Sequence, residues 1–349
     1  MHGLFIRGPS GVRALPGRAL KGITAAVALA SSLHTVSVQA NPIAAVNSDH
    51  AVLSEKASSS LLLDITRAGN GQRLVAVGDR GHVLISDNNG YDWRQVSVPS
   101  RQMLTAVSFP TATTGFAVGH DAVILKSTDG GESWTKVYDD LDAEVPLLDI
   151  MMMDEQTGFA VGAYGYIVRT EDGGETWDDW FDMIENEDEF HYNAITQIGD
   201  GTLLLAGEAG LLYRSLDGGE TWELLESPYE GSFFGIIPSS DPGSAIVFGL
   251  RGNAFKTVDA GESWGEVDTG TDQTLFGAVH IDGNGQVIVG SSGTLFEMSD
   301  PEPQIHSRSD RATLLSASKA PDNSLVVVGE TGVHRMPVGK PAVATLSEQ

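Results

Sequence analysis

The chain repeats itself. Four segments align without gaps: Phe116–Trp134, Phe159–Trp177, Leu204–Trp222 and Ile246–Trp264. Each passes through a glycine, a Lys or Arg, and an Asp-Gly-Gly or Asp-Ala-Gly turn before its closing tryptophan. A degenerate copy, Val75–Trp93, precedes them, and two copies without tryptophan, Ile288–Asp300 and Val327–Met336, follow. The anchoring glycines are Gly78, Gly119, Gly162, Gly207, Gly249, Gly290 and Gly329, spaced 39 to 45 residues apart. A period of that length means one supersecondary unit per copy, none able to bury its apolar face alone.

Within a unit the periodicity is that of strands. Residues 148–153, 157–162, 165–170 and 175–180 read as four short strands, with Gly162-Ala163-Tyr164-Gly165 as a tight turn between the second and third. No unit holds a helical period of useful length. Four antiparallel strands repeated seven times predict an all-β, seven-bladed β-propeller over residues 41–349. An open solenoid with the same repeat would leave sheet edges that need capping. The last unit lacks a full outer strand, and residues 43–53 are expected to supply it and close the ring.

The turn after the third strand reads Ser/Thr-x-Asp-Gly-Gly-x-Ser/Thr-Trp, with Ala260 for the first glycine in one copy. Its anchors are Asp129 and Trp134, Asp172 and Trp177, Asp217 and Trp222, and Asp259 and Trp264. The carboxylate can accept backbone N–H groups, glycine supplies positive φ, and the tryptophan is expected to cover the hairpin. This resembles the Asp-box, or bacterial neuraminidase repeat, of sialidase propellers and several non-enzymatic ones. The resemblance implies a structural fastener placed away from the catalytic face.

The N-terminus reads as an address. Residues 1–21 are basic, 22–33 are mostly apolar or small, and Val38-Gln39-Ala40 ends in the small-x-small manner of a secretory cleavage site. Cleavage near Ala40–Asn41 would deliver the protein to the periplasm or outside the cell. The whole chain carries 47 acids against 21 bases, a net charge of −26. Its first forty residues hold four bases and no acid, so removing them makes the excess larger. Such a surface repels phosphate backbones, which argues against nucleic-acid binding. Zero cysteines exclude disulfides and thiol chemistry.

Nothing in the motif inventory assembles a reaction. Asp268-Thr269-Gly270-Thr271 matches an aspartic protease triplet but sits between repeats as an inter-blade turn. The histidines have no metal-ligand spacing, and Asp282-Gly283-Asn284-Gly285 lacks the later ligands of a calcium loop. No metal and no cofactor is expected. A sialidase-like glycoside hydrolase is the alternative reading. It requires converging arginines, whereas Lys126, Arg169, Arg214 and Lys256 occupy one repeated position and read as a rim contact.

Recognition is expected on the face that carries the second-to-third strand turns and the inter-blade connections. The turn residues differ from unit to unit, among them His120, Asp121, Tyr164, Glu208 and Arg251, as if free of the fold's demands. The longest connection adds Asp182, Glu185, Glu187, Asp188 and Glu189, interleaved with Trp180, Phe181, Phe190 and Tyr192. Acid mixed with aromatics suits a basic or amphipathic partner segment, and the same acid also keeps a rim solvated.

Over nearly the whole span after residue 40, the pattern resembles the photosystem II assembly and stability factor family. The matching residues are Phe-Ala-Val-Gly at 116–119 and 159–162, the Gly-x-x-Gly turns, and the Lys/Arg-Ser/Thr-x-Asp-Gly-Gly-x-Ser/Thr-Trp runs at 126–134, 169–177 and 214–222. The resemblance implies an exported, monomeric, non-enzymatic scaffold that binds a protein partner, such as a membrane complex or an exporter.

Overall fold

The computed structural model describes residues 49–69, 71–199, 201–281, 285–298 and 303–336. The proposed export signal with its cleavage point, and Asp282, Gly283 and Asn284, lie outside these residues. Seven antiparallel sheets follow one another in chain order, six of four strands and the last of three. Their first strands are Leu62–Arg67, Leu104–Ser108, Leu147–Met152, Tyr192–Gln197, Phe233–Pro238, Leu275–His280 and Leu314–Lys319. Among the described residues no helix is longer than a single 3-10 turn, and none is long and apolar enough to cross a membrane.

The second strand of every blade is buried at all five of its residues, from Leu74–Gly78 in blade 1 to Leu325–Gly329 in blade 7. That is why these strands read as unbroken apolar runs: neighbouring blades cover both faces, so no polar side of the pleat exists. The third blade shows the outer boundary best. Its fourth strand is only Asp178–Asp179, paired with Arg169 and Val168, so the expected strand over 175–180 shortens and Trp177 precedes it.

Ring closure differs from the expectation. The seventh sheet stays three-stranded among the described residues, ending at Gly332–Met336. Residues 43–48 lie outside the described residues, and 49–53 form no strand. Instead, Ala51 donates its N–H to the Val98 carbonyl, and Gln95 of blade 1's outer strand exchanges hydrogen bonds with Ser54 and Val52. The chain then makes a 3-10 turn at Ala57–Ser59 beside blade 7. In the other blades the second-to-third strand turn packs on the connection leading to the next blade; Gly81 against Ser100 and Gly252 against Thr271 are examples. In blade 7 that place is taken by Ser58, whose carbonyl would lie 2.1 Å from a Cβ on Gly332, itself at φ +86°. Residues 51–60 therefore meet blades 1 and 7 as a connection, and residues 43–48 of the expected strand lie outside the described residues.

The innermost strands surround a channel of about 500 Å³. Blade joins around it use different devices. Asp64 Oδ2 accepts the Val107 N–H at 2.8 Å, and its Oδ1 accepts the Ser316 hydroxyl at 2.7 Å, tying blade 1 to blades 2 and 7. Thr105 donates its hydroxyl to the Leu147 carbonyl, Asp149 Oδ2 accepts the Ile195 N–H at 2.9 Å, and Asn193 donates to the Phe233 carbonyl. Between blades 5 and 6 the Gln286 amide donates to the Pro238 carbonyl at 2.8 Å, and apolar contact is added. Phe234 and Phe276 lie 5.4 Å apart, and Gly277 lets the Leu315 carbonyl approach to 2.4 Å from where a Cβ would sit.

Candidate functional site

The aspartate turns face away from the proposed recognition face and act between blades. In blade 3 Thr176 donates both its hydroxyl, at 2.7 Å, and its N–H, at 2.9 Å, to the Asp172 carboxylate. Thr170 Oγ1 donates to Asp172 Oδ1 and accepts the Gly174 N–H. Hydroxyl donation from Thr176, Thr221 and Ser263 is the main cause that holds Asp172, Asp217 and Asp259 down at about 2. Asp129 makes the same bonds with Ser127 and Ser133.

The tryptophans do more than cover their own hairpins. Trp177 meets Phe116 edge-on at 6.2 Å, and Trp222 meets Phe159 likewise at 6.2 Å, each phenylalanine belonging to the preceding blade. Trp134 packs on Phe109 of its own blade at 5.8 Å, and Trp264 joins a cluster with Leu204, again of the preceding blade.

The repeated basic position is likewise a joint. Arg169 and Arg214 are buried, not rim groups. Arg169 pairs with Glu220 at 2.6 Å, Arg214 with Glu262 at 2.8 Å, and Lys126 with Glu175 at 2.5 Å, each acid coming from the next blade's turn. Arg73 of blade 1 reaches Glu132 in the same way. Blade 6 lacks the Asp-Gly-Gly sequence, and Lys256 has no acid partner among the described residues. These arginines are thus spoken for by separate glutamates, and the channel is lined by no arginine.

On the opposite face, the middle residue of the second-to-third strand turn is left-handed in six blades: Arg80, Asp121, Tyr164, Ala209, Arg251 and Ser292, with φ between 53° and 59°. The expectation that these positions are free of the fold's demands is therefore corrected. The turn demands positive φ, which glycine meets at least cost, yet no blade uses glycine there. Backbone strain of this kind gathers where side chains have work to do. Arg251→Gly is expected to stabilise the protein by about 0.5–1 kcal/mol, read from urea unfolding, because Arg251 makes no ion pair among the described residues. An unchanged or lowered midpoint would show that the arginine contributes to the fold.

The structure gathers part of the predicted set. Tyr164 is 54% exposed and meets His191 edge-on at 4.7 Å, while its N–H donates to His191 Nδ1 at 3.0 Å. Glu208 Oε2 accepts the His191 N–H at 3.3 Å. The connection bearing Asp182, Glu185, Glu187, Asp188 and Glu189 lies beside this group, because Asn186 packs against Gly165 and hydrogen-bonds Phe190 at both ends of its amide. All five acids are exposed, as are Phe181 and Met183. One blade back, Asp140 accepts the Tyr166 hydroxyl at 3.0 Å, which ties the acidic connection before blade 3 to that blade. His120 and Asp121 sit in blade 2's turn, with Asp121 held by Gln102. Arg251, on blade 5, has no contact with this cluster.

Sequence reasoning missed Asp64 and Asp149. A carboxylate inside an apolar strand is the signal, repeated in Leu63-Asp64-Ile65 and Leu148-Asp149-Ile150. Both are half-buried in the wall of the channel and line it. Burial is the main cause pushing Asp149 up to about 7, with the Asp64 charge adding to it, and burial also raises Asp64.

A family model described as photosynthesis system II assembly factor YCF48 matches residues 85–145 and 135–336. A solved YCF48 bound to D1 peptide superposes with a TM-score of 0.66 at 16% identity, covering 83% of this chain and 94% of that one. YCF48 from Cyanidioschyzon merolae gives 0.64 at 17%, covering 83% and 98%. A streptogramin B lyase gives 0.68 at 12%, covering 80% and 93%, so the fold alone does not separate binding proteins from enzymes. No curated protein sequence matches the chain.

Proposed function

Since the chain belongs to the photosystem II assembly factor YCF48 family, we propose that it is a protein-binding assembly factor that catalyses no reaction and works after export from the cytoplasm. The observation that carries the reading is the left-handed turn position, kept with a side chain in six blades on one face. The binding surface is centred on blade 3: Tyr164, Phe181 and Met183 supply apolar contact, and Glu185, Glu187, Asp188 and Glu189 supply charge. A basic or amphipathic segment of a membrane-complex subunit matches that chemistry. The D1 peptide bound to a YCF48 is a precedent for a polypeptide ligand on this fold. Export is supported by the basic start, the apolar run at 22–33 and Val38-Gln39-Ala40, and fractionation of cells expressing the full chain tests it.

Replacing Glu185, Glu187, Asp188 and Glu189 together by Ser or Asn is expected to cut capture of partners from solubilised envelope membranes roughly tenfold, with most of the loss in association rate. These side chains are exposed, so the melting temperature should hold. Undiminished capture by the folded variant would remove this surface from the proposal.

A further inference from the structure

In a chain with more than twice as many acids as bases, cations are expected to be paired, and most described ones are. Lys56 and Arg101 are exceptions. Neither has an acid partner among the described residues, and both line a single cavity of about 580 Å³ with Arg80. This cavity lies where blade 1's second-to-third strand turn, the connection to blade 2 and the N-terminal segment meet.

The pocket is held in shape by its frame. Gly81, which follows Arg80, would place a Cβ 2.3 Å from the Ser100 carbonyl and 3.3 Å from the Ala51 side chain, so the three segments are in close contact. Arg101 Nε donates to the His50 carbonyl at 2.8 Å, which fixes one edge of the guanidinium and leaves its other nitrogens without a protein acceptor among the described residues. Ala51, Val52 and Ser54 are tied to blade 1 by the hydrogen bonds described above. Val52 and Leu53 are nevertheless 61% and 63% exposed. They stand open on a segment that these hydrogen bonds pin.

Arg80 occupies the left-handed turn position, and its nearest acid is its own neighbour Asp79, at 3.2 Å. His82, also lining the cavity, is 4% exposed with Nδ1 buried and without a partner, and burial pushes its imidazole pKa down. The positive charge therefore comes from Lys56, Arg80 and Arg101, beside two bare aliphatic side chains and the Ser54 and Ser60 hydroxyls.

We propose that this pocket binds a carboxylate carried on a short apolar chain, the carboxylate held by Arg101 and Lys56 and the chain lying on Val52 and Leu53. Guanidinium and ammonium groups favour a carboxylate, and Arg can hold it through two parallel hydrogen bonds. The aliphatic pair selects against inorganic anions, which have nothing to place there. Two sources share this chemistry: a free medium-chain carboxylic acid and the C-terminus of a peptide ending in an aliphatic residue. The site is separate from the acidic surface of blade 3, so its test does not depend on that reading.

The test is calorimetric titration of the full chain at low ionic strength, where exposed charges are least screened. The probes are octanoate, acetyl-Ala-Ala-Leu as free acid and as amide, and inorganic phosphate. Binding of octanoate alone assigns the free acid as ligand, and binding of the peptide acid assigns a chain terminus. In either case the neutral amide or phosphate should bind at least tenfold more weakly, and Lys56→Gln and Arg101→Gln should each weaken binding about tenfold. The Lys56 ammonium has no protein partner among the described residues, so Lys56→Gln keeps the test valid if the Arg101 variant fails to fold. The proposal is overturned if neither carboxylate binds, if amide or phosphate binds as well as acid, or if both substitutions leave affinity unchanged.

Discussion

Asp149→Asn is expected to be less stable than the wild type at pH 4 and to become the more stable of the two by pH 8. In the folded ring Asp149 titrates at about 7, against an ordinary value of 3.8, chiefly because of its burial. Between those values the native state holds a proton that the unfolded chain releases. Stability from this group is therefore full below about pH 4 and is lost as pH rises through 7, by up to about 4 kcal/mol. The asparagine variant lacks that titration but has a constant defect. Both carboxylate oxygens accept backbone N–H groups, from Ile150 and Ile195, and an amide nitrogen in one of those places leaves a donor unmatched, costing about 1–3 kcal/mol. Urea unfolding of both proteins across this range gives the difference directly. Parallel curves would mean that Asp149 stays charged throughout. The aspartate turns contribute in the opposite sense: Asp172, Asp217 and Asp259 are held at about 2, so their share is present above pH 4 and lost as pH falls toward 2. Wild type and Asp149→Asn share those groups, so the comparison isolates the channel.

Phe159→Ala should cost about 3–5 kcal/mol and lower Tm by on the order of 10 °C. Phe159 is fully buried in blade 3, and its ring is met by Trp222 of blade 4 and by Gly219, where a Cβ would lie 2.3 Å away. Arg169, pinned by Glu220 of blade 4, stands 5.6 Å from the ring centre. Truncation therefore opens a void at a blade joint, where the surrounding β-sheets cannot close up without shifting a whole blade. Trp222→Phe, which keeps an aromatic group at the partly exposed side of the same contact, should cost far less. Equal losses would argue that the tryptophan, not the phenylalanine, holds the joint.

The propeller was legible because its signals are local and repeated. Each second strand reads as an apolar run because neighbouring blades cover both of its faces, and each Asp-Gly-Gly turn carries its own hydrogen-bonding partners within four residues. Pairings across blades were not legible. Nothing local says that Arg169 reaches Glu220, 51 residues on, although the unvarying glutamate after each glycine pair was a hint. The shared positive φ of the turn residues was not legible, because their variation hides it. Asp64 and Asp149 went unnoticed because a single carboxylate in an apolar strand has no meaning until the ring places it beside the next blade's N–H.

By itself, the sequence determined what repeats: the number of blades, the order of strands, the chemistry of the aspartate turns and the sign of the surface charge. These follow from periodicity and short-range bonding, which are properties of neighbouring residues. Only the tertiary structure decided how the ring is joined. It set the N-terminal segment in the place of a connection, converted a row of basic residues into inter-blade ion pairs, and brought Lys56, Arg80 and Arg101 to one cavity. Each of these depends on distances between residues far apart in the chain, which closure of the ring alone sets.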